Sequence, residues 1–141
     1  MDTEWLMLAD SAQVISNKLF LLGGGWDVLT NTSGVYPLNH PCSIVISLKV
    51  PWSETNQRHN IEAEILTEDG QSLFKMQGQC EVGRPPGMPP VAQRLHLAQN
   101  ILLQIPREGT YVLVARIEGQ EIKRSTFRVL QVAQSFQQMP G

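Results

Sequence analysis

Asn60-Ile61-Glu62-Ala63-Glu64-Ile65-Leu66-Thr67-Glu68-Asp69-Gly70-Gln71-Ser72-Leu73-Phe74-Lys75-Met76-Gln77-Gly78-Gln79-Cys80-Glu81-Val82 reads as a β-hairpin whose register can be checked residue against residue. Asp69-Gly70 is a favoured pair for a two-residue type I′ turn, in which both positions take positive φ. That turn sets Ile65 opposite Phe74 and Ala63 opposite Met76 on one side of the ribbon, with Glu64 opposite Lys75 and Leu66 opposite Leu73 on the other. Cross-strand pairs of this kind contribute about 0.2–1 kcal/mol each. A slip of one residue would send the apolar set to the wrong face. The hairpin decides a fold class and carries no chemistry.

Outward from this hairpin, apolar runs recur between Gly, Pro, Asn and Asp, and no segment sustains a 3.6-residue period. The pattern is all-β. Strands are expected at Glu4 to Ala9, Lys18 to Leu22, Trp26 to Thr30, Ser43 to Val50, Asn60 to Glu68, Gln71 to Val82, Gln93 to Ala98, Thr110 to Glu118 and Glu121 to Val132, with Ile101 to Ile105 as a short extension. Ser43 to Val50 alternates, with Ile44, Ile46, Leu48 and Val50 inward and Ser47 and Lys49 on a wet face. Leu19-Phe20-Leu21-Leu22 and Tyr111-Val112-Leu113-Val114-Ala115 are apolar on both sides and need cover above and below, or a partner molecule. Asp10 to Asn17 reads as one helical turn or a polar connection. A two-residue turn at Gly119-Gln120 would oppose Glu118 to Glu121 and Arg116 to Lys123, so a bulge is expected within Ile122 to Thr126. Residues 1–132 form one domain on this reading, and residues 133–141 a flexible tail.

Composition narrows the function classes. A chain of 141 residues, 42% hydrophobic and 17% charged, is long enough for a single core without staples. A net charge of -2 gives no global attraction to phosphate backbones, which argues against nucleic acid as a partner. The start, Met1-Asp2-Thr3-Glu4, lacks the positive charge of a secretion signal, and no apolar run approaches a membrane span. A cytoplasmic protein without a membrane partner is expected. Cys42 and Cys80 are too few and too far apart for a zinc cluster or a CxxC pair. They read as small half-buried residues or as an interstrand disulfide.

The candidate sites each have a plain structural reading. Gly23-Gly24-Gly25 is followed by strand residues Trp26-Asp27-Val28-Leu29, with no Lys-Ser/Thr and no helix, so a turn outweighs a phosphate loop. His40, His59 and His96 lie 19 and 37 positions apart, outside the close spacing of zinc-ligand pairs. Neither metal nor cofactor is expected. Glu62, Glu64 and Glu68 share a strand face and resemble a solvated edge more than an acid/base pair. The Ser and Thr residues include no G-x-S-x-G elbow. Lys123, Arg124, Arg128 and Arg116 split across two faces, as a solvated surface does. Gly83-Arg84-Pro85-Pro86-Gly87-Met88-Pro89-Pro90 is a stiff connection between sheets or a displayed polyproline ligand. The polar stretch Pro51-Trp52-Ser53-Glu54-Thr55-Asn56-Gln57-Arg58-His59 opens on a tryptophan that either caps the core beside Val50 or stands out as an interface anchor. Trp52, Arg58 and His59 are therefore the candidate interaction residues, and Asp69, Gly70 and Tyr111 the structural ones.

Two resemblances follow. Pro106-Arg107-Glu108-Gly109-Thr110-Tyr111-Val112-Leu113 resembles the corner and sixth strand of immunoglobulin-like sandwiches, in which the tyrosine hydroxyl bonds back to the corner backbone. That resemblance implies an immunoglobulin-like antiparallel β-sandwich of eight or nine strands. Leu113 stands where antibody domains carry cysteine, so it implies no intersheet disulfide. More broadly, Leu8-Ala9-Asp10-Ser11-Ala12-Gln13-Val14, Gly23-Gly24-Gly25-Trp26-Asp27 and the closing Pro-x-x-Gly-x-Tyr hairpin resemble a family of short uncharacterised bacterial β-sandwich proteins. That likeness implies fold and origin and assigns no activity. The leading expectation is a non-catalytic protein interaction module, with a β-sandwich that binds a small molecule or carbohydrate as the alternative and an enzyme behind both. The protein partner and any homo-oligomer stay open.

Overall fold

The computed structural model describes residues 1–132, and the tail expected over residues 133–141 lies outside them. The described residues form nine strands: β1 Asp2–Ile15, β2 Lys18–Gly24, β3 Val28–Asn31, β4 Leu38–Val50, β5 Arg58–Thr67, β6 Ser72–Glu81, β7 Gln93–Ile105, β8 Gly109–Ile117 and β9 Gln120–Gln131. One sheet runs β2-β1-β4-β7 and the other β3-β9-β8-β5-β6. Neighbours are antiparallel except β3 and β9. Between the sheets, Leu6, Ile44, Ile46, Leu48 and Leu103 pack with Ile65, Leu113, Phe127 and Val129, all buried. Each such side chain contributes about 1.5–3 kcal/mol on burial.

The β5–β6 hairpin has the expected pairs Ala63↔Met76, Glu64↔Lys75 and Ile65↔Phe74. Its turn differs from the expected type I′. Gly70 takes φ 88 while Asp69 is not among the positive-φ residues, and the Gly70 N–H donates to the Thr67 carbonyl at 3.0 Å. A type I turn followed by a left-handed glycine creates a bulge, so Leu66 faces Ser72 rather than Leu73. The β8–β9 turn is Glu118-Gly119, with φ 51 and 79, not Gly119-Gln120. The shift sets Arg116 opposite Glu121 and leaves Ile122 as the extra residue of a bulge. The like-charge oppositions thereby disappear.

Two expectations about the first sheet are corrected. Asp10 to Ile15 is neither helix nor connection but a continuation of β1, which turns at Ser16-Asn17 (φ 52 and 54) into β2. Ala12 and Val14 alternate with Ser11 and Gln13, a period of two that a pair of small apolar residues expressed weakly. Past Ala9 this hairpin lies over the outer face of its own sheet, where Ala12 and Leu19 pack with Val45 and Ala98. Its tip reaches β7: the Asn17 amide donates to the Arg94 carbonyl at 2.8 Å and accepts the His96 N–H at 3.2 Å. With this hairpin over Val45 and His96, stacked on Trp5, against Ser47, β4 has no wet face over Ser43 to Ser47, all of which is buried.

Candidate functional site

The polar loop after β4 winds into a 3₁₀ turn, Trp52–Glu54. The Thr55 hydroxyl is buried beneath it and donates to the Trp52 carbonyl at 2.6 Å. Trp52 is half-buried and stands outside the hydrophobic core cluster. Its cover comes from the Pro-rich segment that links β6 to β7 across the two sheets. The Arg84 guanidinium carbon lies 4.3 Å from the ring centroid, and Nη2 donates to the Trp52 carbonyl at 2.9 Å. Trp52 is thus neither a cap on Val50 nor a free anchor. Arg58 is exposed, with Glu81 at 4.0 Å. His59 is buried, its Nε2 2.8 Å from the Glu54 carbonyl, which removes it from the exposed surface. The structure therefore leaves Arg58 alone of the three fully at the surface.

Other sequence candidates resolve into structural contacts. Glu62 and Glu64 are not on an edge, because β5 runs between β8 and β6. Arg116 donates to Glu62 at 3.2 Å and to Glu64 at 2.9 Å, and Lys75 sits 2.9 Å from Glu62. A hydrogen bond from Ser72 first, then Arg116 and Lys75, hold the Glu64 carboxyl below its ordinary 4.5 against the opposing effect of burial. His96 stacks on Trp5 at 5.9 Å and lies 2.6 Å from the buried Ser47 hydroxyl. A substrate has no approach to that hydroxyl. Gly23 lies against the Asp10 side chain, and a carboxylate beside the glycine turn opposes an anion there. Cys42 and Cys80 are free and buried on different sheets. Burial, and secondarily Asp10, pushes the Cys42 thiol up to about 11, which makes it a poor nucleophile. Tyr111 is buried and its hydroxyl donates to the Arg107 carbonyl.

A cleft of about 190 Å³ opens between β6 and β7 where Gly78 leaves no side chain. Ile46, Ala63, Met76 and Leu97 line it. It is smaller than the roughly 300–1,000 Å³ of drug-sized ligand sites. Among the described residues, no group of three His, Cys, Asp or Glu side chains is placed to hold a metal ion, and no helix is long and apolar enough to cross a membrane.

The feature that stands apart is β2. Among the described residues it pairs with β1 alone and forms one edge of its sheet. Phe20, Leu21 and Leu22 are 54%, 38% and 71% exposed, with Ile15 beside them at 52%. Phe20 and Leu22 share one face of the hairpin with Ile15, by the register Gln13↔Phe20 and Ile15↔Lys18. Its sequence signal was the run of four apolar residues, Leu19 to Leu22, that required cover or a partner.

Comparison with known proteins places the whole sandwich in one family. A family model matches residues 4–130, and the chain belongs to that family, a family of unknown function (DUF6941). No curated protein matches the chain. Among solved structures it is similar to a β-glucuronidase from glycoside hydrolase family 2, at 11% identity and a TM-score of 0.43, over 68% of this chain and 10% of that one. It is also similar to a Pseudomonas fluorescens alkylpurine DNA glycosylase bound to DNA containing an abasic site analog, at 12% identity and a TM-score of 0.45, over 92% of this chain and 30% of that one. The chain thus spans less than a third of the length of either protein.

Proposed function

We propose that this protein is a non-catalytic interaction module that docks a protein partner along β2. One observation supports this reading above the rest: three consecutive large apolar side chains, Phe20, Leu21 and Leu22, are exposed on a strand that, among the described residues, is paired on one side only. An edge of that kind is a ready template for another strand, and soluble proteins ordinarily blunt it with charge, proline or a covering segment. Here the strand carries a single charge, Lys18, and no proline. Main-chain hydrogen bonds would supply affinity and alternate side chains specificity, the mode called β-augmentation.

The test is affinity capture from the native cell with the wild-type chain and with the Phe20→Ser/Leu22→Ser double variant. These substitutions lie on the exposed face of β2 and leave its pairing with β1 intact. A partner recovered with the wild type and lost with the variant is the expected result. Equal recovery by both would remove β2 from the function.

A further inference from the structure

We propose that the partner at this edge is a second copy of the same chain, joined by antiparallel pairing of the two β2 strands about a two-fold axis at Phe20. The inference rests on the interaction reading above and adds the partner and the register.

Ser16 and Asn17 both take positive φ, which makes the β1–β2 connection a two-residue primed turn. In such a hairpin the flanking residues, Ile15 and Lys18, exchange hydrogen bonds. Lys18, Phe20 and Leu22 therefore spend their backbone groups on β1. Leu19 and Leu21 direct theirs away from it, toward the open edge. Gly23 has φ 58 and ends the extended backbone, so these two residues are what the edge offers a new strand.

A two-fold axis through the sheet keeps each residue on the same face as the one opposite it. With Leu19 and Leu21 supplying the bonds, the axis passes through Phe20. Leu19 then meets Leu21 of the second copy, and Leu21 meets Leu19, forming about four backbone hydrogen bonds. Phe20 meets Phe20 at a non-hydrogen-bonded position, where the chains come closest. Lys18 meets Leu22, and its stem covers that side chain, the most exposed of the three.

Charge favours the same orientation. Lys18 marks one end of β2, and the exposed Asp10 carboxylate lies against Gly23 at the other. Antiparallel pairing brings the positive end of each copy to the negative end of its mate, whereas parallel pairing would align like with like.

The remaining edges are less inviting. The Asn17 amide occupies the Arg94 carbonyl and the His96 N–H on β7. β3 has four residues. β6 exposes Lys75, Gln77, Gln79 and Glu81. Five paired residues per copy bury well below the roughly 800 Å² per partner of a standard interface, so the association belongs to the weak, concentration-dependent class.

The experiment is sedimentation equilibrium of the full chain over a wide concentration range. It is run on the wild type and on Leu21→Pro, a substitution that removes an N–H which β1 does not use. The wild type should pass from monomer to dimer as concentration rises. Leu21→Pro should weaken association by about tenfold or more, equivalent to 1.4 kcal/mol, with its circular dichroism unchanged. A separate measurement covers the case in which the proline variant does not fold. Under mild oxidation Phe20→Cys should cross-link to itself across the axis, while Leu22→Cys, opposite Lys18, should not; the native Cys42 and Cys80 are buried. A chain monomeric at every concentration, or Leu22→Cys cross-linking as readily as Phe20→Cys, would overturn the inference. A monomeric chain that still captures another protein through Phe20 and Leu22 would overturn the second copy alone and leave the interaction module standing.

Discussion

Arg84 and Trp52, thirty-two residues apart, are joined twice: the guanidinium lies over the ring at 4.3 Å and donates to the tryptophan's own carbonyl at 2.9 Å. A cation over an indole contributes about 0.5–2 kcal/mol, with more when it is dry. Trp52→Ala should therefore lower stability by about 1–2 kcal/mol, less than the roughly 3–5 kcal/mol of a buried Trp→Ala. A double-mutant cycle with Arg84→Gln, followed by urea denaturation, should give a coupling energy of about 0.5–1.5 kcal/mol. Additive single effects would mean that the stack contributes nothing.

Tyr111→Phe keeps a ring stacked on Phe127 at 5.6 Å and deletes the hydroxyl that Arg107 receives. The expected loss is about 1–3 kcal/mol, the range for orphaning a buried polar partner. Thermal unfolding measures it, and an unchanged midpoint would show that the corner bond does not stabilise the fold.

Glu64 gives the protein a defined acid sensitivity. The Ser72 hydrogen bond, then Arg116 and Lys75, hold its carboxyl below the ordinary 4.5. A depressed folded value means that this stabilisation is fully present above the unfolded value and is lost as pH falls through the folded one. Wild type should be more stable than Glu64→Gln at neutral pH, and the gap should close as pH drops below about 4.5. Urea denaturation midpoints at a series of pH values would read the gap, and a gap independent of pH would leave Glu64 without that role.

The second sheet was the more legible because the two strands of its β5–β6 hairpin pair apolar with apolar and charge with countercharge, and its turns contain glycine with known conformational demands. Ala63, Glu64 and Ile65 found their partners on β6. Leu66 did not, because a type I turn with a left-handed Gly70 adds a residue that Asp-Gly alone does not reveal. The first sheet was less legible. Small residues such as Ala12 contribute little to a hydrophobic period, and a hairpin folded back over its own sheet buries Val45 by tertiary contact rather than by local pattern, while Ser47 lies beneath the neighbouring His96. The site divided in the same way. The apolar excess of Leu19 to Leu22 was visible in composition. The burial of His59 depends on a 3₁₀ turn within its own loop that no periodicity announces, and the cover over Trp52 depends on Arg84, which only the fold brings near.

Asn17 combines two tasks that one substitution separates. Its positive φ of 54 closes the β1–β2 turn, and its amide bridges the Arg94 carbonyl and the His96 N–H on the β7 edge. Asn17→Gly keeps the backbone conformation without strain and deletes the bridge. The cost should be about 0.5–1.5 kcal/mol for hydrogen bonds of this exposure. The more specific readout is amide hydrogen exchange. The His96 N–H, deprived of its acceptor, should exchange faster. Asn17→Ala should cost more, because it adds the strain of a Cβ at positive φ. If Asn17→Gly leaves His96 exchange unchanged, the hairpin is held by the packing of Ala12 and Leu19 against Val45 and Ala98, and the amide bridge is incidental to it.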